Sequence, residues 1–268
     1  MKKETTLYDL HAHLLPSIDD GPSKIEETLE IIRISSEQGV VAILATPHRK
    51  DVSECYSIAY VENLLSKVNE LASAHGYPTK VLLGMENHLD PQLPFDIQEG
   101  SAIQMNRGKY ILIEMPWSGR PDFLEDTLAK VQSMDLVPVV AHPERMELFQ
   151  KDPSLLFNLV DKGMLTQITA SSVFGKFGGK ARRFAEEIIR NNLGHILASD
   201  THMAHGPRCP ELLRGFKSVV RLCGADIGNM MVNDTPRAIL ESRDINVPRG
   251  QKLRASRTTW NFLRRWHI

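Results

Sequence analysis

The chain has 268 residues, a formal net charge of −1, 42% hydrophobic residues and 24% charged residues. This length and composition indicate a soluble globular protein with one large domain or two small ones, and they exclude collagen-like, mucin-like and largely disordered chains. The longest apolar runs are too short to cross a bilayer, and the N-terminus has no apolar stretch of signal-peptide length, so we expect a cytoplasmic protein.

Short runs of β-forming residues alternate with helical patterns along the chain. The predicted strands lie around Leu7–His11, Val40–Thr46, Lys80–Glu86, Tyr110–Met115, Val137–His142, Leu165–Thr169 and His195–Ser199. The predicted helices lie near residues 25–38, 60–74, 121–134, 153–162, 181–192 and 210–222, with a short one opening at Pro236. Ser23 and Glu26 predict a capping box for the first helix, and Asp152 with Pro153 predicts the start of the fourth.

Seven strands linked mainly by helices predict a parallel sheet, because repeated βα units place successive strands side by side. Several of the strands are apolar almost throughout, as in a sheet that is covered on both faces. Such a sheet is either closed as a barrel or open and doubly wound. No glycine-rich phosphate loop follows an early strand, which argues against a nucleotide-binding open sheet.

Metal-binding side chains follow the predicted strands at their carboxyl ends. His11 and His13 are two positions apart on the first strand and therefore point the same way, as two imidazoles that share a metal must. Asp19 and Asp20 follow in a turn, where we expect Asp19 to support the turn or a ligand. Later strands end in ATPHR, GMENH, LIEM, AHPER and ASDTH. In a (β/α) barrel these ends form one face, where active sites are built, so the pattern predicts a metal centre.

Nine residues of this pattern are candidate metal ligands: His11, His13, Asp20, His48, Glu86, Glu114, His142, Asp200 and His202. Five imidazoles and four carboxylates exceed the needs of one zinc site, which predicts two or three ions with some ligands shared. Nitrogen and oxygen donors without thiolate suit Mn, Fe or Zn, and the sequence does not choose among them. Of the other histidines, His88 and His205 flank these motifs, and His195 begins a strand at the end away from the predicted centre.

Three arginines stand shortly after candidate ligands: Arg49, Arg145 and Arg208. Guanidinium groups match tetrahedral oxyanions, so beside several metals they predict hydrolysis of a phosphate ester. A cysteine-dependent phosphatase is excluded, because that class needs a cysteine and an arginine separated by a five-residue loop, and Cys55, Cys209 and Cys223 lack this spacing. Three cysteines are also too few for a disulfide framework, which fits a reducing compartment.

Charge is distributed unevenly along the chain. Residues 1–244 contain 26 Lys and Arg against 33 Asp and Glu, a charge of −7, whereas residues 245–268 contain six basic residues and no acidic ones. The acidic body argues against a nucleic-acid-binding protein. The basic tail also contains Trp260, Phe262 and Trp266, and we expect it to dock on its own body, with a partner protein or an anionic membrane surface as alternatives.

From Asp9 to about Arg208, the motifs DLHAHLLPSIDDGP, ATPHR, GMENH, LIEM, AHPER and ASDTH together resemble the polymerase-and-histidinol-phosphatase (PHP) superfamily. Within it they are most similar to bacterial tyrosine phosphatases of capsule and exopolysaccharide operons. The resemblance implies a distorted (β/α)7 TIM-like barrel over residues 1–244. It also implies a three-metal site, often activated by manganese, that dephosphorylates a bacterial tyrosine kinase associated with the membrane.

By this likeness all nine candidates become metal ligands, and Arg145 and Arg208 become phosphate contacts. A hydroxide held by the metals then attacks phosphorus, the metals and arginines neutralise the phosphoryl oxygens, and phenolate leaves. Two features depart from the family pattern. Ile168 and Thr169 stand where relatives often carry an Asn, and the tail past residue 245 extends beyond the usual end of the family.

Other functions stay open at this point. A small-molecule phosphatase of the histidinol-phosphate type would use a similar centre, and the DDGP loop and the Arg208 segment favour the tyrosine branch by resemblance only. A metal-stabilised regulatory module that binds the kinase without turnover is a third hypothesis, and the complete ligand set argues against it. A proofreading nuclease is disfavoured by the acidic body.

Overall fold

The computed structural model describes residues 6–246 and 249–253. In these residues the β-strands are β1 (Leu7–Ala12), β2 (Val40–Ala45), β3 (Lys80–Leu83), β4 (Asn87–His88), β5 (Tyr110–Glu114), β6 (Val137–Ala141), β7 (Leu165–Thr169) and β8 (Ile196–Ala198). All neighbouring strands pair in parallel. The predicted α/β class with a parallel sheet is therefore confirmed.

Helices connect most of the strands. They are α1 (Ile25–Glu37), α2 (Arg49–Cys55), α3 (Ile58–Ala74), α4 (Leu93–Gln98), α5 (Leu124–Gln132), α6 (Glu147–Lys151), α7 (Pro153–Asp161), α8 (Ala170–Val173), α9 (Gly178–Arg190), α10 (Leu212–Cys223), α11 (Ala225–Asn229) and α12 (Thr235–Leu240). Asp152 caps α7 as predicted, because its carboxylate accepts a hydrogen bond from the Leu155 N–H. The capping box predicted from Ser23 and Glu26 is wrong: Lys24 occupies the N-cap of α1, and no side chain caps the helix.

The strands form two sheets, in the orders β1-β2-β3 and β4-β5-β6-β7-β8. Backbone contacts link the two sheets at the carboxyl ends of the strands. The His13 N–H, after β1, donates to the Thr201 carbonyl, after β8, over 2.8 Å. His48, after β2, forms a parallel bridge with Glu86, just before β4. The ends of strands from both sheets therefore lie on one face of the molecule.

Buried apolar side chains cover both faces of the sheets. Every residue of β5 and β7 is buried, as the sequence predicts for parallel strands between two apolar layers. A large cluster packs the strands against the surrounding helices. A smaller cluster draws side chains from six strands, among them Leu10, Leu44 and Leu112. The polar strand ends are thus supported by a core on which they can be held rigidly.

The third predicted strand is shorter than expected. It ends at Leu83, and the following Gly84 passes so close to β2 that a Cβ atom there would lie 2.9 Å from Leu44 Cδ2. The chain then forms the two-residue strand β4, whose Asn87 amide donates to the Leu112 carbonyl over 3.1 Å. Glu86 therefore lies in the break between β3 and β4. The short helices α2, α4, α6, α8 and α11 lie where the sequence predicts no helix.

Residues 249–253 lie against the body. The Gln251 N–H donates to the Asn191 carbonyl over 2.8 Å, and Leu253 packs on the large apolar cluster. The division into residues 1–244 and 245–268 stays a prediction, and the tail beyond Leu253 lies outside the described residues. Within the described ranges, no helix combines the length and the apolar character needed to cross a membrane.

Candidate metal centre

The predicted ligands lie together at the carboxyl ends of the strands. His11 and Glu114 belong to β1 and β5, and others stand one to four residues beyond the ends of β2, β3, β6 and β8. Except for the partly exposed Asp20 and His48, they are buried. Burying so many ionisable groups is costly unless they are paired with one another or bind metals.

Glu86 lies at the middle of the cluster. Its Oε1 is 2.8 Å from His142 Nε2 and 3.4 Å from His11 Nε2. Its Oε2 is 3.3 Å from His13 Nε2 and 3.1 Å from His48 Nδ1. One carboxylate thus faces two imidazoles at each oxygen, which is the arrangement of a carboxylate that bridges two cations.

Two more carboxylates border the same imidazoles. Asp20 Oδ1 is 3.1 Å from His202 Nε2 and 3.6 Å from His48 Nε2, and Asp200 Oδ1 is 3.6 Å from His11 Nε2. Four groups have ligand atoms within 4.8 Å of one another: His13, Asp20, His48 and His202; His11, Glu86 and His142; His11, His13 and Asp200; and His48, His88 and Glu114. The structure therefore brings all nine predicted ligands together.

The donor geometry of the cluster fits bound cations. His48 Nδ1 lies 3.1 Å from Glu86 and His202 Nε2 lies 3.1 Å from Asp20, yet neither nitrogen has a hydrogen-bond partner among the described residues. Nitrogen and oxygen therefore face a shared point instead of each other, as the ligands of a metal ion do. The groups contain only imidazole and carboxylate donors, which suit Mn, Fe or Zn.

Neighbouring groups hold the second nitrogen of two imidazoles. His13 Nδ1 is 2.7 Å from the Asp19 carboxylate, and His11 Nδ1 is 2.9 Å from Gln167 Oε1. Such partners fix the orientation of a ring and leave its Nε2 lone pair free for a metal. Asp19 also accepts a hydrogen bond from the Gly21 N–H over 3.0 Å. Asp19 thus supports His13, in agreement with the role predicted for it.

Burial and paired charges shift the pKa values of the cluster. Burial disfavours charged His13, but hydrogen bonds to Asp19 and Glu86 raise the pKa of His13 well above its usual value. Burial, together with the charge of Glu86, raises the pKa of Glu114 to about 7. Burial lowers the pKa of His202 to about 4. A nearby cation favours ionised Glu114 and neutral His202, which are the forms of these side chains that bind metals.

Two of the strand-end residues have left-handed backbone conformations. The φ angle is 30° at His142 and 53° at Asp200, values that residues other than glycine rarely adopt. Backbone strain of this kind concentrates at functional sites, where the surrounding structure holds it in place. Here it lets the chain turn away directly after β6 and β8 while both side chains stay in the cluster.

Two of the three predicted arginines border the centre. Arg145 pairs with the carboxylate of Asp200. Arg208 contacts Asp200 over 3.2 Å and Asp20 over 3.1 Å. Both guanidinium groups therefore stand at the edge of the imidazole cluster, where they can reach an anion that binds to it.

Arg49 has a different environment. It is buried, and its two terminal nitrogens pair with Asp90 and Asp96. One of these nitrogens also donates to the His88 carbonyl over 3.2 Å. These contacts neutralise the guanidinium and tie the start of α2 to β4, to α4 and to the loop between them. They support a structural role for Arg49, and its part in phosphate recognition stays a prediction.

Three residues of the site are not assigned to it by the sequence: His88, Gln167 and Trp117. His88 Nε2 lies 3.1 Å from Glu114, and its position in GMENH was the available signal. Gln167 is a polar side chain within the buried strand β7, which could have indicated a polar partner nearby. Trp117 stacks on His142 with ring centroids 5.9 Å apart, and nothing in its spacing predicts this contact.

The remaining predictions concern residues near the cluster. Ile168 is fully buried in the core, and the Thr169 N–H donates to the Glu144 carboxylate over 3.1 Å, so the departure from the family pattern leaves no open space there. His205 is exposed and lies 3.3 Å from Glu30, outside the ligand groups.

A parallel α/β fold with this histidine–carboxylate cluster at its strand ends defines a class of proteins suited to binding metal ions at the carboxyl ends of their strands. Within that class, the chain belongs to the capsular polysaccharide synthesis CpsB/CapC family, whose model matches residues 7–241. The resemblance found from the motifs is therefore confirmed at the level of the family.

Individual relatives agree with this assignment. The chain is 34% identical over 196 residues to the tyrosine-protein phosphatase YwqE of Bacillus subtilis (strain 168), which covers 73% of this chain and 77% of that protein. It is 28% identical over 245 residues to the tyrosine-protein phosphatase CpsB of Streptococcus agalactiae serotype V, covering 89% of this chain and 100% of that protein.

A solved structure extends the likeness to three dimensions. It comes from crystal structures of YwqE from Bacillus subtilis and CpsB from Streptococcus pneumoniae, described as metal-dependent tyrosine phosphatases. The TM-score is 0.88 at 29% sequence identity, and the match covers 93% of this chain and 100% of that chain.

Proposed function

We propose that this protein is a metal-dependent protein-tyrosine phosphatase that removes phosphate from tyrosine side chains of proteins in capsule or exopolysaccharide synthesis. The observation that carries the proposal is the position of Arg145 and Arg208, which both contact Asp200 at the edge of an imidazole cluster suited to several cations. Two guanidinium groups beside a site suited to cations fit a dianionic phosphate monoester. The names of the relatives support phosphotyrosine as the substrate.

We infer that two or three divalent ions bind at the centre, with manganese the first candidate. Glu86 and the other eight predicted ligands, together with His88, would hold these ions. The distorted (β/α) barrel implied by the resemblance is supported by the apolar cluster that six strands share and by the backbone links between the two sheets. A barrel of this kind explains why the ligands lie on one face.

The chain's own residues bind and orient the substrate. Divalent ions, when bound, supply the Lewis acidity that hydrolysis of a phosphate ester requires. Arg145 and Arg208 would each hold phosphoryl oxygens through paired N–H donors and stabilise the charge that develops in the transition state. Tyrosine leaves as a phenolate with a pKa of about 10, so the leaving group needs less protonation than an alkoxide, and no general acid is assigned.

The natural substrate is proposed to be a bacterial tyrosine kinase that controls capsule or exopolysaccharide synthesis. The family to which the chain belongs supports this context. A kinase associated with the membrane would bring the phosphatase close to an anionic surface, which is the setting where the basic residues after Asp244 would add to binding.

One experiment tests the proposed activity directly. The purified protein, supplied with Mn²⁺, is compared on a phosphotyrosine peptide, a phosphoserine peptide of the same sequence and histidinol phosphate. We expect the phosphotyrosine peptide to be hydrolysed fastest. Preference for histidinol phosphate would instead favour the small-molecule phosphatase, and binding without turnover of any substrate would favour the regulatory module.

A variant links this activity to the metal. His13 contacts Glu86 and Asp19 in the middle of the cluster. His13→Ala should lower both the metal content measured by elemental analysis and the hydrolysis of the phosphotyrosine peptide, while the circular dichroism spectrum keeps its α/β shape. Full metal content with normal turnover in this variant would contradict the assignment of His13 as a ligand.

A further inference from the structure

Trp117 is an exposed aromatic residue that is fixed against the metal centre. Its side chain is 49% exposed, although it follows the buried strand β5 by only three residues. One face stacks on His142 with an interplanar angle of 18°, and the guanidinium of Arg145 lies 5.3 Å from the ring centroid. The indole is therefore held in place by two groups of the site, and part of its surface is left open to a ligand.

Two cavities meet at this indole. The first, of about 470 Å³, is lined by Glu114 and His88 of the metal centre and by the apolar side chains of Leu89 and Met115. The second, of about 340 Å³, is lined by Arg145 together with Phe177 and Lys180. Trp117 lines both. A ligand held in either cavity would therefore lie beside the indole.

The chemistry of the substrate fits this position. If the phosphate of phosphotyrosine is held at the arginines and the metal ligands, the two adjoining cavities offer its phenyl ring a place beside the indole. Aromatic rings attract each other when their centroids are about 4.5–7 Å apart, in offset-stacked or edge-to-face geometry. An alkyl phosphate such as phosphoserine has no ring to place there and gains nothing from the indole.

We propose that Trp117 is the residue that selects aryl over alkyl phosphate monoesters, by packing its indole against the ring of the phosphotyrosine side chain. This inference rests on the proposed phosphatase function and deepens it. It assigns the preference for tyrosine to an aromatic surface beside the metal centre, whereas the ligands and arginines recognise the phosphate that both classes of ester share.

The test measures binding, so that it does not depend on turnover. Calorimetric dissociation constants of phenylphosphonate and methylphosphonate are determined for the Mn²⁺-loaded protein and for Trp117→Ala, Trp117→Phe and Phe95→Ala. We expect Trp117→Ala to raise the dissociation constant of phenylphosphonate about tenfold, since one stacked pair and its buried area are lost. The dissociation constant of methylphosphonate should stay within about twofold of the wild-type value. Trp117→Phe should recover most of the loss.

Phe95→Ala is the matched control, because Phe95 is 53% exposed and lines neither cavity. It should bind both phosphonates as the wild type does. Equal weakening of both phosphonates in Trp117→Ala would overturn the proposal and indicate that the indole only positions Arg145 or His142. Unchanged affinities would overturn it as well. Failure of the phosphatase proposal would be seen separately, as absent hydrolysis of the phosphotyrosine peptide by the wild type.

Discussion

We assign metal binding and phosphate binding to different side chains of the centre. Arg145 and Arg208 border the cluster without belonging to the ligand groups. Arg145→Lys and Arg208→Lys keep a positive charge but lose the paired donors of the guanidinium. We expect each to retain its Mn²⁺ content and to lose about 10–100-fold in kcat/KM on a phosphotyrosine peptide, the effect of losing one transition-state contact. Elemental analysis and steady-state kinetics measure the two quantities.

Arg49→Lys is the matched control for these two variants. Its guanidinium pairs with Asp90 and Asp96, so the same substitution should lower the melting temperature while kcat/KM changes less than about threefold. A loss of metal from Arg145→Lys or Arg208→Lys at Mn²⁺ concentrations that load the wild type would show that the arginine concerned is structural.

His195 makes stability depend on pH at a place remote from the ligands. It is buried, the Thr166 N–H donates to its Nδ1 over 3.0 Å, and burial lowers the pKa of His195 from 6.5 to about 4. As the pH falls, His195 therefore binds a proton near pH 6.5 in the unfolded chain but only near pH 4 in the folded protein. The contribution of His195 to stability is complete above this window and is lost as the pH falls through it.

His195→Asn isolates this effect, because the Asn oxygen can accept the same hydrogen bond from the Thr166 N–H. Between about pH 7 and pH 4, the free energy of unfolding of the wild type should fall by about 3 kcal/mol more than that of the variant. Urea unfolding in the presence of a chelator measures both without a contribution from bound metal. Parallel pH profiles would contradict the shifted pKa.

At the scale of residues, the sequence predicts the candidate ligands more readily than the groups that orient them. His11, His13 and the later histidines stand next to apolar strands, where an imidazole is unusual enough to be noticed. Gln167 is equally buried, but one amide in a strand has no periodic signal and is assigned only when His11 is seen beside it. The carboxylate partners of Arg49 could not be predicted either, because they lie far along the chain.

The turn after β1 requires glycine at position 21. A Cβ atom on Gly21 would lie 2.6 Å from the carbonyl oxygen of His13, a backbone atom that cannot move without displacing the ligand. The Gly21 N–H also holds Asp19, which in turn orients His13. Gly21→Ala should therefore reduce the Mn²⁺ affinity by about 10–100-fold, the usual effect of disturbing a partner of a metal ligand.

Gly179→Ala provides the comparison for this turn. Gly179 lies in α9, and a Cβ atom there would approach only the flexible end of Arg183, at 3.2 Å. This variant should bind Mn²⁺ as the wild type does and melt at the same or a slightly higher temperature, since alanine favours a helix. Equal Mn²⁺ affinities of Gly21→Ala and Gly179→Ala would refute the role of the turn.

At the scale of elements, the long periodic segments were predictable and the short ones were not. Helices such as α3 and α10 have enough turns for an apolar face to repeat, so their existence follows from the pattern. The four residues of α8 and the two of β4 are set by tertiary contacts, which leave no periodicity. The capping box at Ser23 failed because Lys24 occupies the N-cap of α1, which places Ser23 outside the helix.

The junction between the body and the tail is a property of the whole molecule. Residues 249–253 contact the body through Gln251 and Leu253, and Lys252 lies 5.6 Å from the ring centroid of Phe157. Ending the chain after Asp244 removes these contacts and should lower the melting temperature by about 2–4 °C for each kcal/mol lost. Ending it after Leu253 should leave melting unchanged. Differential scanning calorimetry measures both.

Liposome flotation of the same two truncated chains tests the alternative role of the tail. If the tail attaches to membranes, both truncated chains should lose flotation on anionic vesicles that the full chain shows, because four of the six basic residues follow Leu253. Unchanged melting after the cut at Asp244, together with lost flotation, would reject docking on the body. Lowered melting with no flotation of any form would reject the membrane role.

For the whole molecule, the parallel βα organisation and the gathering of the candidate ligands could be predicted, because parallel βα units place all carboxyl ends on one face. The division of the strands into two sheets could not, since the break between β3 and β4 leaves no periodic signal in the sequence. The shape of the cavities beside Trp117 was also beyond the sequence, because it arises from loops that meet only in the folded protein.

The distribution of the ligands along the chain has a consequence during synthesis. The first candidate ligand of the cluster is His11 and the last is His202, with Arg208 following. At ribosomal rates of about 5–20 residues per second, about 10–40 s separate the appearance of the first and last ligands. A nascent chain lacks some of the candidate ligands during this time, and a prematurely terminated chain never acquires them. On the proposed ligand set, we expect phosphatase activity only from polypeptides whose translation has passed His202, and we expect shorter fragments to be inactive.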